Sequence, residues 1–490
     1  MYVVMVAPEC APTAKAGGLG DVVSGLSREL ELRGHAVEII LPKYASMRYS
    51  DIWDLQPSYR DLWVPWYGER VNCTVWFGHA HGRKCFFIEP HSAANFFGRD
   101  RLYGYRDDAE RFSFFSKAAV EFMFQAGKHP DIVHCHDWQT GLVPVLLHEQ
   151  FAGVMPGQKV CYTVHNFRHQ GTSDERVLWA TQLGRPDYFL DADRLGDDFR
   201  YRGLNPMKGG VLYADFVTTV SPSHADEALY DDGGSGLGRI LKEHQHKFRG
   251  VLNGVDYEAW NPQTDPFLPA HYSTGSIARK SENRAALRDR FWLRRTRSPV
   301  VAYVGRLDEQ KGMHLVHHAL FHTLAHGGQF VLIGDAHYDD GIAGHFQQLK
   351  DYLNDNQDCH LELGYQEELA HLVYAGADLL VVPSMFEPCG LAPLIGMRYG
   401  TVPVVRATGG MIDTVFDRDH SGRPAAERNG YVFHHTDNRA IESALSRALR
   451  LWFADPREFR SLAAAGMHAD YSWRRPGQDY LDIYGLVRHR

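Results

Sequence analysis

Three stretches of the chain place glycine, two of them with a cation, where an apolar strand should hand over to a helix. KAGGLGDVVSGL, residues 15–26, follows the apolar run VVMVAPE and sets Lys15 ahead of Gly17 and Gly18, with Asp21 just beyond. VGRLDEQKG, residues 304–312, carries Arg306 and Lys311 on one loop, and RATGG, residues 406–410, brings Thr408, Gly409 and Gly410 to a third strand end. Glycine lets backbone N–H groups approach a phosphate closely, and the following helix turns its positive end to the same place. One such loop is ordinary, a tight turn with a solvated lysine. Three in one chain point to a site for a diphosphate. Dinucleotide binding is disfavoured, because G-x-G-x-x-G needs a third glycine where Val23 stands, and the second strand ends Leu41, Pro42, Lys43 instead of on a ribose-binding acid. No GxxxxGK[ST] occurs either. Possible metal motifs are HCHD, with His134 and His136, and the D-x-D triplets at 191–193 and 417–419. Neither triplet ends an apolar strand, and H-x-H on a strand reads as one buried and one exposed histidine, so no metal is expected to be required.

The elements that position these loops repeat one grammar. VVMVAPE, VEIILP, DIVHCHD, KVCYTVHN and DFVTTVSP are short apolar runs separated by amphipathic stretches, the pattern of a parallel sheet with helices on both faces. It restarts after the segment Asn253 to Pro262 with VVAYVG, QFVLIGD, HLELGY, DLLVVPS and TVPVVRATGG. The expected fold is α/β, two doubly wound Rossmann-like domains facing one another across a cleft: residues 1–255, with a C-terminal helix at 475–490 packing back on them, and residues 263–470. A length of 490 residues with 44% hydrophobic content suits more than one full core. The charge of −8 from 52 basic and 60 acidic residues has no polybasic block, which argues against nucleic acid and anionic membrane as partners. MYVVMVAPEC does not read as a signal peptide, and no stretch reaches the ~18 apolar residues of a membrane span. Seven scattered cysteines without a CxxC pair suit reduced thiols. The location expected is the cytoplasm, or the plastid stroma for a plant chain.

The ordered set KAGGLGDVV, HDWQTG, YTVHNFRHQG, MKGGVLYADFVTTVSP, LNGVDYEAWNP, VGRLDEQKG, FEPCGL and YGTVPVVRATGGMIDTV resembles the landmarks of bacterial glycogen synthases and plant starch synthases, from Val3 to about Tyr484. The resemblance implies the GT-B fold and a retaining glucosyl transfer from ADP-glucose to the non-reducing end of an α-1,4-glucan, glycogen or malto-oligosaccharide, with no cofactor. It implies donor contacts at Lys15, Gly18, Asp21, Arg306, Lys311, Gly409 and Gly410, and further candidates at Asn166, Asn253 and Thr408. His165, beside the glucose, Asp137, which could equally cap a helix, and Glu387 of FEPCG, on the sugar hydroxyls, are the implied catalytic residues. That fits what the chemistry asks: without a metal, a leaving diphosphate must be neutralised by side-chain cations and backbone amides.

For the acceptor, Tyr103 and Asp108 match the family's YG and D-x-x-RF landmarks, in a stretch dense in aromatics that includes Trp53, Trp63, Trp66, Trp76, Phe96, Phe97 and Tyr105. Most such aromatics are expected to be core. Two positions depart from the family. After FEPCGL stand Ala392 and Pro393 where Thr-Gln is usual, and the E-x7-E pattern lacks its second glutamate because residue 395 is isoleucine. Other readings are a GT-B transferase using UDP-glucose or another acceptor, a phosphorylase carrying pyridoxal phosphate on a lysine, and a non-catalytic glucan-binding homologue.

Overall fold

The computed structural model describes residues 1–230, 232–335, 341–364 and 366–489. The chain forms two compact units, Met1–Gly254 with Trp473–Arg490, and Val255–Ser472.

The first unit is built on a nine-stranded sheet in the order β3-β4-β5-β2-β1-β6-β7-β8-β9. The strands are β1 (Tyr2–Val6), β2 (Ala36–Pro42), β3 (Ile52–Trp66), β4 (Glu69–Ala80), β5 (Arg83–Pro90), β6 (Ile132–His136), β7 (Lys159–Val164), β8 (Phe216–Thr219) and β9 (Phe248–Gly250). From β5 to β9 all neighbours are parallel, with Val4 opposite Glu38 on one side and Val133 on the other. Covered on both faces by helices, these strands are apolar at nearly every position, which is why they read as runs. The sequence reading of a parallel sheet needs one correction. Strands β3, β4 and β5 pair antiparallel and extend the sheet by a meander. Here side chains alternate between core and solvent, so no apolar run marks the strands, and Pro57 and Pro65 sit in β3 because it is the edge strand.

The aromatics of this region divide accordingly. Trp66, Phe96 and Phe97 are buried, and Trp66 and Phe96 pack on Phe114, whereas Trp53 and Trp63 are exposed. The C-terminal helix Arg474–Arg488 belongs to this unit. Trp473 packs against Gly25 of the helix Gly18–Leu32, where an added Cβ would stand 2.0 Å from the indole nitrogen. Tyr480 and Tyr484 enter the core.

The second unit holds six parallel strands in the order β12-β11-β10-β13-β14-β15: β10 (Val300–Arg306), β11 (Gln329–Asp335), β12 (Cys359–Leu363), β13 (Leu379–Val382), β14 (Val402–Arg406) and β15 (Tyr431–Phe433). Alternate residues feed opposite faces. Val301, Tyr303, Leu332 and Val381 join one core, and Val300, Ala302, Ile333 and Val382 the other. Val255 opens this unit by donating its N–H to the Tyr471 carbonyl, and Trp260 stacks on His371 at 4.0 Å.

Candidate active site

Among the parallel strands of each unit the order reverses once, between β1 and β6 in the first and between β10 and β13 in the second. Loops leaving the carboxyl ends of such strand pairs diverge and leave a crevice, the place where doubly wound sheets bind ligands. The candidate residues gather at those two points.

In the first unit, the loop after β1 is organised by Glu9, a residue the sequence reading passed over as the tail of a strand. Its buried carboxylate accepts hydrogen bonds from the backbone N–H groups of Ala16 (2.7 Å) and Gly17 (3.0 Å) and from the Tyr103 hydroxyl (2.7 Å). Burial raises its carboxyl above the usual range, while these three donors pull it down. Lys15 meets Asp21 at 2.8 Å within the same loop. Gly18 is the first residue of the helix that follows, with Asp21 in its first turn.

Tyr103 therefore reaches the loop through Glu9. Asp108 lies at the start of the helix Asp108–Gln125 and accepts from the N–H groups of Gly104 and Tyr105 and from Arg111. Its carboxylate is occupied in folding the turn that carries Tyr103.

Asp137 follows β6 with φ 58°, ψ 179°, a conformation that costs a non-glycine residue about 1–3 kcal/mol. Its side chain does not cap the short helix after it. Instead Oδ1 accepts the His165 N–H at 2.6 Å, and the Asn166 N–H adds a second bond, so the carboxylate pins the end of β7. Burial pushes Asp137 up to about 7 against the pull of those two N–H groups. The Asn166 amide oxygen accepts from the Arg168 N–H at 3.0 Å and is used in its own turn.

His165 Nε2 lies 3.1 Å from His136 Nδ1. The expectation of one buried and one exposed histidine in HCHD is overturned: both His134 and His136 are fully buried. His134 is covered by the C-terminal helix, whose Tyr484 hydroxyl meets its Nδ1 at 2.7 Å, while Thr163 meets Nε2 at 2.7 Å, and His136 lies between the rings of His134 and His165. Burial holds His134 and His165 at about 3 and depresses His136 well below the imidazole range, so all three rings are neutral at pH 7. Their Nδ1 and Nε2 atoms are spent on hydrogen bonds within the unit, apart from His136 Nε2, which is buried without a partner among the described residues, and His165 Nδ1.

In the second unit the centre is an ion pair. Lys311 Nζ stands 2.5 Å from Glu387 Oε2, joining the loop after β10 to the loop after β13, and the Ser384 hydroxyl donates to the same oxygen at 2.9 Å. Asp308 caps the turn that carries Lys311, accepting the Lys311 N–H at 3.1 Å, and its other oxygen is 3.4 Å from Arg306. The loop after β14 packs on the Glu387 segment so closely that only glycine fits. An added Cβ at Gly409 or Gly410 would lie 2.0 Å from the carbonyl oxygens of Glu387 and Cys389 respectively, and Gly409 has φ 47°. Thr408 is buried beside them. Gly390, at φ 83°, starts the helix Leu391–Arg398, which puts Ala392 and Pro393 in its first turn, where a missing N–H loses no intrahelical bond.

Comparisons with known proteins give the family. The description "Starch synthase catalytic domain" matches residues 2–243, and "Glycosyl transferases group 1" matches residues 287–464. Glycogen synthase 1 of Synechococcus sp. (strain JA-3-3Ab) is 59% identical with 100% of both chains covered. Glycogen synthase 2 of Methylococcus capsulatus is 57% identical over 99% of this chain and 100% of that one. The chain belongs to the glycogen and starch synthase family.

It is accordingly a glycosyltransferase of the GT-B fold that transfers glucosyl units in glycan synthesis. Among solved structures, the catalytic domain of starch synthase IV from Arabidopsis thaliana, bound to ADP and acarbose, aligns with a TM-score of 0.97 at 41% identity, covering 100% of this chain and 99% of that one. Sucrose-phosphate synthase from Thermosynechococcus elongatus, at 20% identity and a TM-score of 0.63, shares the fold. Two further features of this family member bear on the site. Asn253 is buried with its Oδ1 unpartnered among the described residues. The DRD triplet is taken up by Arg447, whose guanidinium binds Asp417 at 2.8 Å and Asp419 at 2.8 Å. No helix among the described residues is long and apolar enough to cross a membrane.

Proposed function

We propose that the protein moves glucose from ADP-glucose to the 4-hydroxyl at the non-reducing end of an α-1,4-glucan, with retention at the anomeric carbon and with neither metal nor cofactor. The observation that carries this reading is the Lys311–Glu387 pair at the strand-order reversal of the second unit. A lysine there, with Arg306 on the same loop, can exchange its carboxylate partner for the diphosphate and hold the negative charge that builds as ADP leaves. Glu387, released from Lys311, can accept hydrogen bonds from the glucose hydroxyls. In the first unit, Lys15 adds a cation, and a neutral His165 can lie beside a sugar carbon gaining positive charge without repelling it. In the step proposed, the bond from C1 to the phosphate oxygen breaks, the acceptor 4-oxygen bonds C1 on the same face, and the acceptor proton passes to the departing phosphate. The ADP and acarbose seen on the Arabidopsis starch synthase support the choice of nucleotide and of an oligosaccharide acceptor. Unpaired cysteines support a reducing compartment, the cytoplasm.

The test is incorporation of labelled glucose into glycogen from ADP-glucose and, separately, from UDP-glucose, each with and without EDTA. The expected result is transfer from ADP-glucose that a chelator leaves unchanged. Preferential use of UDP-glucose, or loss of transfer in EDTA restored by manganese, would overturn the reading.

A further inference from the structure

The helix Met313–Ala325 of the second unit carries histidines at 314, 317, 318 and 322, and His326 follows at its end. Positions 318 and 322 are four apart and share one face. That face meets the helix Asn438–Ala454, from which Glu442 and Ser446, also four apart, project toward them. His318 Nε2 lies 2.7 Å from Glu442 Oε1, and His322 Nε2 lies 2.8 Å from Ser446 Oγ. Ligand atoms of His318, His322 and Glu442 all fall within 4.8 Å of one another.

We infer that His318, His322 and Glu442 form a binding site for a divalent transition-metal ion of the zinc class, stapling these two helices together. Two imidazoles one helical turn apart are a ready pair of ligands for such an ion, and a carboxylate from a facing helix completes three. Ligands 2.0–2.2 Å from a tetrahedral ion are separated by about 3.4 Å, so the present spread closes by rotamer adjustment of partly exposed side chains. Ser446 stands where it can hold a water in the fourth position. The two Nε2 atoms are each turned toward the facing helix, one to Glu442 and the other to Ser446. His326 Nδ1 donates to the His322 carbonyl at 2.8 Å and its ring lies 4.1 Å from that of His322, which fixes that end of the stripe. Two nitrogen ligands select zinc-class ions over magnesium and calcium, which take oxygen. The site is outside the transfer machinery: His318 and His322 bond Glu442 and Ser446, on a helix that carries none of the candidate donor or catalytic residues.

The experiment uses the full chain stripped with EDTA and titrated with ZnCl2 alone, by equilibrium dialysis and by thermal melting. With 28 histidines in the chain, the variants assign the site. The wild type should retain one zinc per chain at micromolar affinity and melt about 5 °C higher at a hundredfold excess over the dissociation constant. His322→Gln and Glu442→Gln should each weaken zinc at least tenfold and lose the rise in Tm, while melting with the wild type when no zinc is added. Co2+ in place of zinc should give the visible absorption of a four-coordinate site in the wild type and not in the variants. Zinc binding and melting shifts identical in wild type and variants, or no saturable binding by the wild type, would overturn the assignment. Glucosyl transfer should be the same with and without zinc, and a loss of transfer on stripping would also contradict it.

Discussion

The two units share a strand order around their first strand, and each follows that strand with a loop whose lysine is paired to a carboxylate, yet the carboxylates around the two loops are used differently. In the second unit a carboxylate faces a cation directly, Glu387 on Lys311. In the first, beside the Lys15–Asp21 pair, two further carboxylates hold backbone: Glu9 binds the N–H groups of residues 16 and 17, and Asp137 those of residues 165 and 166, next to the neutral rings of His136 and His165. A direct ion pair keeps charge available for exchange with an anionic ligand. A carboxylate bound to N–H groups is fixed and shapes the loop. On the proposed function, the charge chemistry falls to the second unit and the shaping of a neutral surface to the first, with Lys15 as that unit's contribution of charge.

The largest effect expected is from Glu387→Gln, which keeps volume and removes the charge opposite Lys311. Turnover should fall roughly 10²–10³-fold with ADP affinity changed far less, read from steady-state kinetics beside calorimetric titration. Equal losses in both would make the residue a binding contact. Lys15→Ala should lower kcat/KM about 100-fold, near 3 kcal/mol, because it removes a cation and leaves Asp21 facing the donor alone. Adding Asp21→Asn should recover part of that loss, and a double variant no better than the single would break the idea that the two charges act as a pair.

Glu9→Gln sharpens the contrast, since glutamine offers one acceptor oxygen to three donors. A denaturation midpoint lowered by about 1–3 kcal/mol of stability, with a smaller loss from Tyr103→Phe, is the outcome expected of a loop organiser. The buried histidines give the first unit an acid signature. Their folded pKa values lie below the ordinary 6.5, so the unfolded chain binds more protons, and stability present above that pH is lost as pH falls toward about 3. Asp137, raised to about 7 from 3.8, and Glu9, raised by burial, work the other way over that window, but three groups oppose two. Tm should therefore drop from pH 7 to pH 5, less steeply in His134→Gln. The smallest effect expected is from Ala392→Thr in the first turn after Gly390. A restored hydroxyl should lower KM for ADP-glucose a few-fold, at most the ~1.5 kcal/mol of a hydrogen bond to a charged oxygen, with the product linkage unchanged and Pro393→Gln nearly silent. An unchanged or raised KM would show that Ala392 does not face the phosphates.

What the sequence made legible follows from this physics. Doubly covered parallel strands leave apolar runs, and the loops at their ends leave glycine and cation motifs, so the sheets, Lys15, Arg306, Lys311 and the RATGG turn could be picked out one by one, whereas Glu387 was reached through the family resemblance of FEPCG. The meander of β3, β4 and β5 could not be read as runs, because half its residues face water, although Pro57 and Pro65 were a sign of an edge strand. Glu9 was invisible because its role depends on a loop folding back to present N–H groups. A lone acid ending a wholly apolar strand was the available signal. His134 of HCHD meets Tyr484, 350 residues away in the chain, and no local pattern reports that contact. Asp137 looked like a helix cap from its position before a short helix, and only the three-dimensional course of β7 reveals that it holds His165 instead.

The division of labour between the units is tested most directly by calorimetric ADP affinity in three proteins: the wild type, Lys311→Ala and His165→Ala. Losing a charged contact to the diphosphate should weaken ADP at least tenfold, about 1.4 kcal/mol or more, in Lys311→Ala. His165→Ala should bind ADP within about threefold of the wild type, roughly 0.7 kcal/mol, while losing most of its glucosyl transfer. The opposite pattern, with ADP binding intact in Lys311→Ala and lost in His165→Ala, would contradict the account.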